Sequence, residues 1–312
     1  MEPYAIKGKH AIVTGAGSGI CLALARKMLE AGCSIVIADI RLTPEAQALV
    51  EKWTSPEAGP DTVTAFYQKT DMADWAQIKT LWEVSLAHFG VVDIVVSGAG
   101  LYEPPSSSFW YPPGKSPLAQ DAIDTNPGVY RSFAVNTMGP IRLAQFAIDY
   151  WLDNRDTVKG NLVWIASLGA YVHSFQTPMY FASKAAIVSF VRSLGCLRKR
   201  FGIRNSALCP GLVDTPIFNP EYCRARVAPD DLKLSPDQAA DVVLSLITDA
   251  KYGDGNVVET MLVGTKDDPK VNVREVPLEA LYPTVGPVGS DNHLLEEEEK
   301  FIQHVEKHGM HF

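Results

Sequence analysis

Short apolar runs alternate with amphipathic stretches along most of this chain, and that rhythm constrains its fold more than any other feature. Ala11-Ile12-Val13-Thr14, Ser34 to Ala38, Val63 to Gln68, Val91 to Ser97, Asn161 to Ala166, Ile203 to Cys209 and Asn256 to Val263 all read as strands. Helical patterns separate them: Gly19 to Ala31, a helix opening at Thr43-Pro44-Glu45, Ala73 to Phe89, Val129 to Trp151, Phe175 to Phe201, and Ser235-Pro236-Asp237-Gln238 to about Thr248. Thr43 and Ser235 are capping hydroxyls followed by a proline at the first helical position, and Gln238 completes a capping box. Apolar strands separated by helices predict a mostly parallel sheet covered on both faces. We expect one doubly wound α/β domain of about seven strands over residues 1–264. Residues 265–312 form a C-terminal extension ending in a helix from Leu294 to His308. No internal repeat is present.

The 312 residues carry a net charge of −8, with 46% hydrophobic and 21% charged residues. This balance supplies a core and argues against a nucleic-acid or anionic-membrane surface, where a basic face is wanted. No apolar run approaches the roughly 18 residues that a membrane span needs. Five scattered cysteines and an N-terminus without a basic-then-apolar leader point to reduced thiols and a cytoplasmic location.

The turn Thr14-Gly15-Ala16-Gly17-Ser18-Gly19 lies between the first strand and first helix. Glycines there let the backbone approach a pyrophosphate, which then lies on the helix N-terminus. Asp39 closes the second strand 20 residues after Gly19, where a carboxylate binds ribose hydroxyls and repels a 2′-phosphate. Ile40 offers no compensating cation, and Arg41, two positions along, is expected to point elsewhere. NAD therefore fits better than NADP.

Tyr180 and Lys184 are spaced i, i+4, which puts them on one helix face. Oxidising a secondary alcohol requires a base poised near neutral pH, whereas free tyrosine titrates near 10. Lowering it by about three units takes roughly 4 kcal/mol, which an ammonium about 4 Å away supplies at an effective dielectric near 20. The pair is cheap alone; its context is Ser167, thirteen residues upstream, and the glycine turn.

Thr14-Gly15-x-x-x-Gly19, Asp39, Asp71, Gly98-Ala99-Gly100, Asn136, Ser167, Tyr180, Lys184 and Pro210-Gly211 together resemble the short-chain dehydrogenase/reductase family, over about residues 5 to 265. Among its subgroups the sequence is most similar to NAD-dependent, 15-hydroxyprostaglandin-dehydrogenase-like members. The resemblance implies a Rossmann fold and a homodimer or homotetramer built through the two long helices. It implies Tyr180 as general acid/base and Lys184 as the residue that lowers its pKa and holds the nicotinamide ribose. Ser167 would bind the substrate oxygen, and Asn136 would help hold a relay water. It also implies cofactor contacts at Gly15, Gly17, Ser18, Gly19, Ile20, Asp39, Asp71, Met72, Ala99, Gly100, Tyr180, Lys184, Pro210, Gly211, Val213 and Thr215. Asp71 also suits an N-cap for the Ala73 helix. Two positions depart from the pattern: Cys21 stands where a third glycine is usual, and Gly98 where asparagine is usual. The first predicts a slight shift in packing; the second puts a local strand-stabilising contact, not the chemistry, in doubt.

The segment Leu101 to Asn126 follows the fourth strand, in the region where open α/β sheets bind ligands. Tyr102, Trp110, Tyr171, His173, Met179, Phe218 and Tyr222 are candidate lining residues and suggest a sizeable hydrophobic or aromatic substrate. His304, His308 and His311 lack an acidic third ligand, so no metal site is expected. The function implied is NAD-dependent interconversion of a secondary alcohol and a ketone. The alternatives are an NADPH-dependent ketoreductase, which Asp39 disfavours, and a non-catalytic nucleotide-binding sensor, which should lack part of the Asn136, Ser167, Tyr180 and Lys184 set.

Overall fold

The computed structural model describes residues 2–54, 62–277 and 294–311; of the extension expected over 265–312, residues 278–293 and 312 lie outside the described residues. Each apolar run forms a strand: β1 (His10–Thr14), β2 (Ser34–Asp39), β3 (Ala65–Lys69), β4 (Ile94–Ser97), β5 (Asn161–Ile165), β6 (Arg204–Pro210) and β7 (Asp254–Gly264). An eighth, β8 (Pro269–Glu275), joins from the extension. The order is β3-β2-β1-β4-β5-β6-β7-β8, with every pair parallel except the antiparallel β7–β8. β8 is mostly exposed and polar, so it carries none of the apolar pattern that marks the other strands.

Sheet pleat divides the core in two. Ile12, Val36, Val95 and Leu162 face one side with Leu81, Leu143, Trp151 and Ile187. Val13, Ile35, Ile37 and Val96 face the other with Leu24, Met28 and Leu246. The helices over these faces are α1 (Gly19–Glu30), α2 (Pro44–Trp53), α3 (Trp75–Phe89), α4 (Arg131–Phe133), α5 (Gly139–Asp153), α6 (Pro178–Ser193), α7 (Leu197–Phe201), α8 (Glu221–Arg224) and α9 (Pro236–Thr248). Their starts follow the caps read from the sequence: Thr43 accepts from the Ala46 amide, and Ser235 and Gln238 form a complete capping box. Helix α10 (Leu294–His308) lies beside α7, where Arg200 pairs with Glu299 at 2.6 Å and Glu306 at 2.8 Å.

Three boundaries differ from the sequence pattern. The long helix before β5 begins at α4 and passes through a π-helical turn, Ala134–Met138, before continuing as α5. The helix expected over 175–201 is split into α6 and α7 at Leu194-Gly195-Cys196. A side chain at Gly255, at the start of β7, would come within 2.8 Å of the Gly195 Cα, so this approach needs two glycines. Finally, α3 begins at Trp75 and its cap is Asp74, which accepts from the Ala76 and Gln77 amides. Asp71 accepts from the Ala73 amide instead and pairs with Arg131 at 2.7 Å.

Sheet order reverses between β1 and β4, so the connections leaving their C-terminal ends part and open a crevice. The functional site lies there.

Candidate active site

At the base of the crevice, Gly15 and Gly19 hold φ of 73° and 59°, which glycine adopts without penalty. A Cβ on Gly15 would fall 2.7 Å from the Ala99 amide nitrogen, and one on Gly17 would fall 2.1 Å from the Arg41 carbonyl. The turn is therefore pressed against its neighbours with no room for side chains. Ser18 precedes α1 without spending its hydroxyl on a cap, leaving that hydroxyl and the first amides of α1 available to an anion. Asp39 accepts from the Gly17 amide at 2.9 Å, which fixes its carboxylate at the rim.

These residues form one end of a cavity of about 510 Å³. Gly15, Ser18, Gly19, Ile20, Asp39, Asp71, Met72, Ala99, Gly100, Ser167, Tyr180, Lys184, Pro210, Gly211, Val213 and Thr215 all line it. Gly17 stands behind the wall, bonded to Asp39. Arg41 and Ile40 also line the cavity beside Asp39, and the Arg41 amide donates to the Asp39 carboxylate at 3.3 Å.

Tyr180 and Lys184 are buried on one face of α6. Burial pushes the Tyr180 phenol up to about 12; a hydrogen bond with Ser167 opposes the rise, and Tyr102 and Cys209 add to it. Burial pushes Lys184 down to about 8. Its ammonium lies 5.8 Å from the Tyr180 ring centre and donates to the Ile165 carbonyl at 2.9 Å. In the protein alone, desolvation thus outweighs the expected attraction between the two, and each side chain leans toward its neutral form.

Asn136 sits in the π-helical turn, an irregularity often found at functional sites. Its side chain accepts from the Leu101 amide at 2.8 Å, donates to the Leu101 carbonyl at 2.9 Å and donates to Ser183 at 3.0 Å. All three bonds stay within the protein, tying the start of the loop after β4 to α6. Thr14 performs a similar task that sequence reasoning missed. Its hydroxyl donates to Val96 and accepts from the Gly98 and Ala99 amides, supplying the strand contact put in doubt by glycine at 98.

The candidate substrate wall is only partly as expected. Tyr102, Phe218 and Tyr222 line the cavity, with the Tyr102 ring 4.6 Å from Tyr180 and 5.3 Å from Phe218. Trp110 instead donates to the Phe175 carbonyl, and Tyr171 donates to the buried Glu259 at 2.8 Å. Met179 is buried and, like His173, is not part of the wall. Leu101, Val172, Leu212 and Ile217 line it and were missed, because apolar residues in a loop do not announce which way they face. His311 lies against Asp149 and Asp153 at 3.6 and 3.3 Å, Asp149 half-buried and the other two exposed, while His304 and His308 pack ring against ring.

Residues 9–223 match the short chain dehydrogenase family. The chain belongs to that family. It is 31% identical over 242 residues to 1-deoxy-11-beta-hydroxypentalenate dehydrogenase of Streptomyces avermitilis, covering 78% of this chain and 82% of the relative. It is 28% identical over 217 residues to the 15-hydroxyprostaglandin dehydrogenase [NAD(+)] of Bos taurus and to that of Homo sapiens, covering 68% of this chain and 71% of each relative. The protein is thus a nicotinamide-dependent oxidoreductase that acts on hydroxyl or keto groups. No described helix is long and apolar enough to cross a membrane.

Proposed function

We propose that the protein interconverts a secondary alcohol and its ketone, on a fairly large hydrophobic or aromatic molecule, using NAD. The observation that carries this reading is that Ser167, Tyr180 and Lys184 line a single cavity together with Asp39 and the glycine turn. Held by the glycine turn, Asp39 and Lys184, NAD would supply the hydride acceptor for oxidation, and its reduced form the donor for the reverse reaction. Ser167 holds the substrate oxygen, and Tyr180 takes its proton or gives it back. Lys184 holds the nicotinamide ribose, and its charge, added to that of oxidised nicotinamide, offsets the burial that disfavours the phenolate. Asn136 acts by fixing Leu101 against α6.

Asp39 supports NAD: its anchored carboxylate would meet a 2′-phosphate as like charge in a partly enclosed site. Tyr102, Val172, Phe218 and Tyr222 support an apolar substrate. The five free cysteines fit a reducing, cytoplasmic compartment. A homodimer or homotetramer through the two long helices, α5 and α6, completes the reading and rests on the family resemblance.

The test follows nicotinamide absorbance with NAD or NADP against hydroxylated steroids, fatty acids and polyketide-like alcohols, with the ketones in reverse. Turnover that prefers NAD and vanishes in Tyr180→Phe, with NADH binding kept within about threefold, is the expected result. A fully active Tyr180→Phe would refute the mechanism. Tight NADH binding without turnover anywhere in the panel would favour a sensor.

A further inference from the structure

Glu103 is a buried acid in the loop after β4 that the chemistry above does not use. It is 3% exposed and is the only non-glycine residue among those described with a left-handed backbone, at φ 31°. Side chains resist that conformation, so something must hold it. Three hydrogen bonds do. One carboxylate oxygen accepts from the Tyr180 amide at 2.9 Å; the other accepts from the Ser108 hydroxyl at 2.9 Å and the Phe109 amide at 3.2 Å.

Tyr180 lies in the first turn of α6, where backbone amides have no partner within the helix. Thr177, which precedes the helix, makes no side-chain cap, so a residue 77 positions earlier in sequence supplies the acceptor. The same carboxylate closes its own loop through Ser108 and Phe109. Ser107 then continues the connection, exchanging two hydrogen bonds with Ser132 on α4. Tyr102, next to Glu103, places its ring against that of Tyr180.

We propose that Glu103 is a positioning residue for the acid/base tyrosine: it clips the substrate-side loop to the backbone of Tyr180, fixing both the phenol and the aromatic wall beside it. This rests on the reading of Tyr180 as acid/base. Misplacing such a group by a fraction of an ångström lowers the chemical step without disturbing a cofactor held mainly by the glycine turn and Asp39.

The test compares Glu103→Ala with Glu103→Gly. Both remove the clip, but glycine accepts φ 31° and so folds at least as well as alanine. Kinetics use NAD and whichever panel alcohol the wild-type enzyme turns over fastest. At saturating concentrations kcat should fall on the order of tenfold in both variants, with NADH affinity within about twofold of wild type. Hydrogen exchange at the Tyr180 amide should quicken in both, a readout that needs no substrate. Wild-type kcat in the well-folded Glu103→Gly variant, or unchanged Tyr180 exchange, would overturn the proposal. So would a matching loss of NADH binding, which marks a general structural defect. Tyr180→Phe run alongside separates the two ideas: if it stays active the acid/base reading fails, and if it alone is inactive only the clip fails.

Discussion

The sulfur of Cys21 fills the place that a side chain at residue 98 would take: an ideal Cβ on Gly98 would lie 2.1 Å from Cys21 Sγ. Two departures from the family pattern, cysteine for glycine and glycine for asparagine, are therefore one exchange of volume between α1 and the end of β4. Gly98→Asn alone should destabilise the protein by about 2–3 kcal/mol, because the buried thiol has nowhere to go. Cys21→Gly together with Gly98→Asn should recover at least half of that loss. A double-mutant cycle by urea unfolding measures the coupling, and simple additivity would contradict the exchange.

Asp39 and Arg41 set opposing charges at the same rim. Asp39→Asn removes the repulsion while keeping an acceptor for the Gly17 amide. We expect it to raise kcat/KM with NADP on the order of tenfold relative to NAD. Adding Arg41→Ala should cancel most of that gain. An Arg41→Ala change without effect on the double variant would mean that the guanidinium does not reach the phosphate.

Tyr171 turns away from the cavity and toward Glu259. Tyr171→Phe should cost about 1 kcal/mol of stability. It should also leave kcat/KM within about threefold, contrary to what a substrate-lining tyrosine would give.

The hydrogen bond from Arg274 holds Glu259 below the ordinary glutamate value; burial opposes this, and Tyr171 adds to the lowering. A depressed carboxyl stabilises the fold fully above its unfolded value, near 4.5, and loses that contribution as pH falls through the folded value. The stability gap between wild type and Glu259→Gln should thus be widest at neutral pH and close on acidification. Denaturant titrations across that range check it, and a gap that widens in acid would reverse the sign.

Arg200 is the main polar link between α7 and the tail helix. Arg200→Ala should speed hydrogen exchange across residues 294–308 and leave β1 to β6 unchanged. Equal protection would mean that the remaining contacts, among them Ile302, Val305 and the Arg155 bond to the Glu306 carbonyl, suffice to hold α10.

What could be read from the sequence follows from what is periodic or chemically distinctive. The seven apolar strands, the capped helix starts at Thr43 and Ser235 and the motif residues of the cavity carried such marks, since a strand buried on both faces needs unbroken apolar residues. Glu103 did not, and Thr14, Cys21 and Gly98 were marked only as members of a motif or departures from it, with nothing to say what they touch. Their meaning depends on a partner tens of residues away. The same holds for the break at Gly195, against which Gly255 packs. Trp110, Tyr171 and Met179 failed as lining residues because composition gives no direction to a side chain.

The strand β8 bears on where the smallest independently folding chain can end. The family-model match ends at residue 223, and the regular β–α alternation stops at Gly264, so either position looks like a natural place to shorten the protein. A chain ended at Gly264 would lose Arg274 and leave Glu259, whose side chain is 5% exposed, as a carboxylate facing only Tyr171. Losing this charge-assisted bond costs about 1.5–3 kcal/mol, a large share of a typical domain's margin. Stripping β8 would also uncover the edge of β7, inviting other chains to pair there. Shortened versions should therefore keep residues through at least Val276, which is buried and donates its amide to Val257.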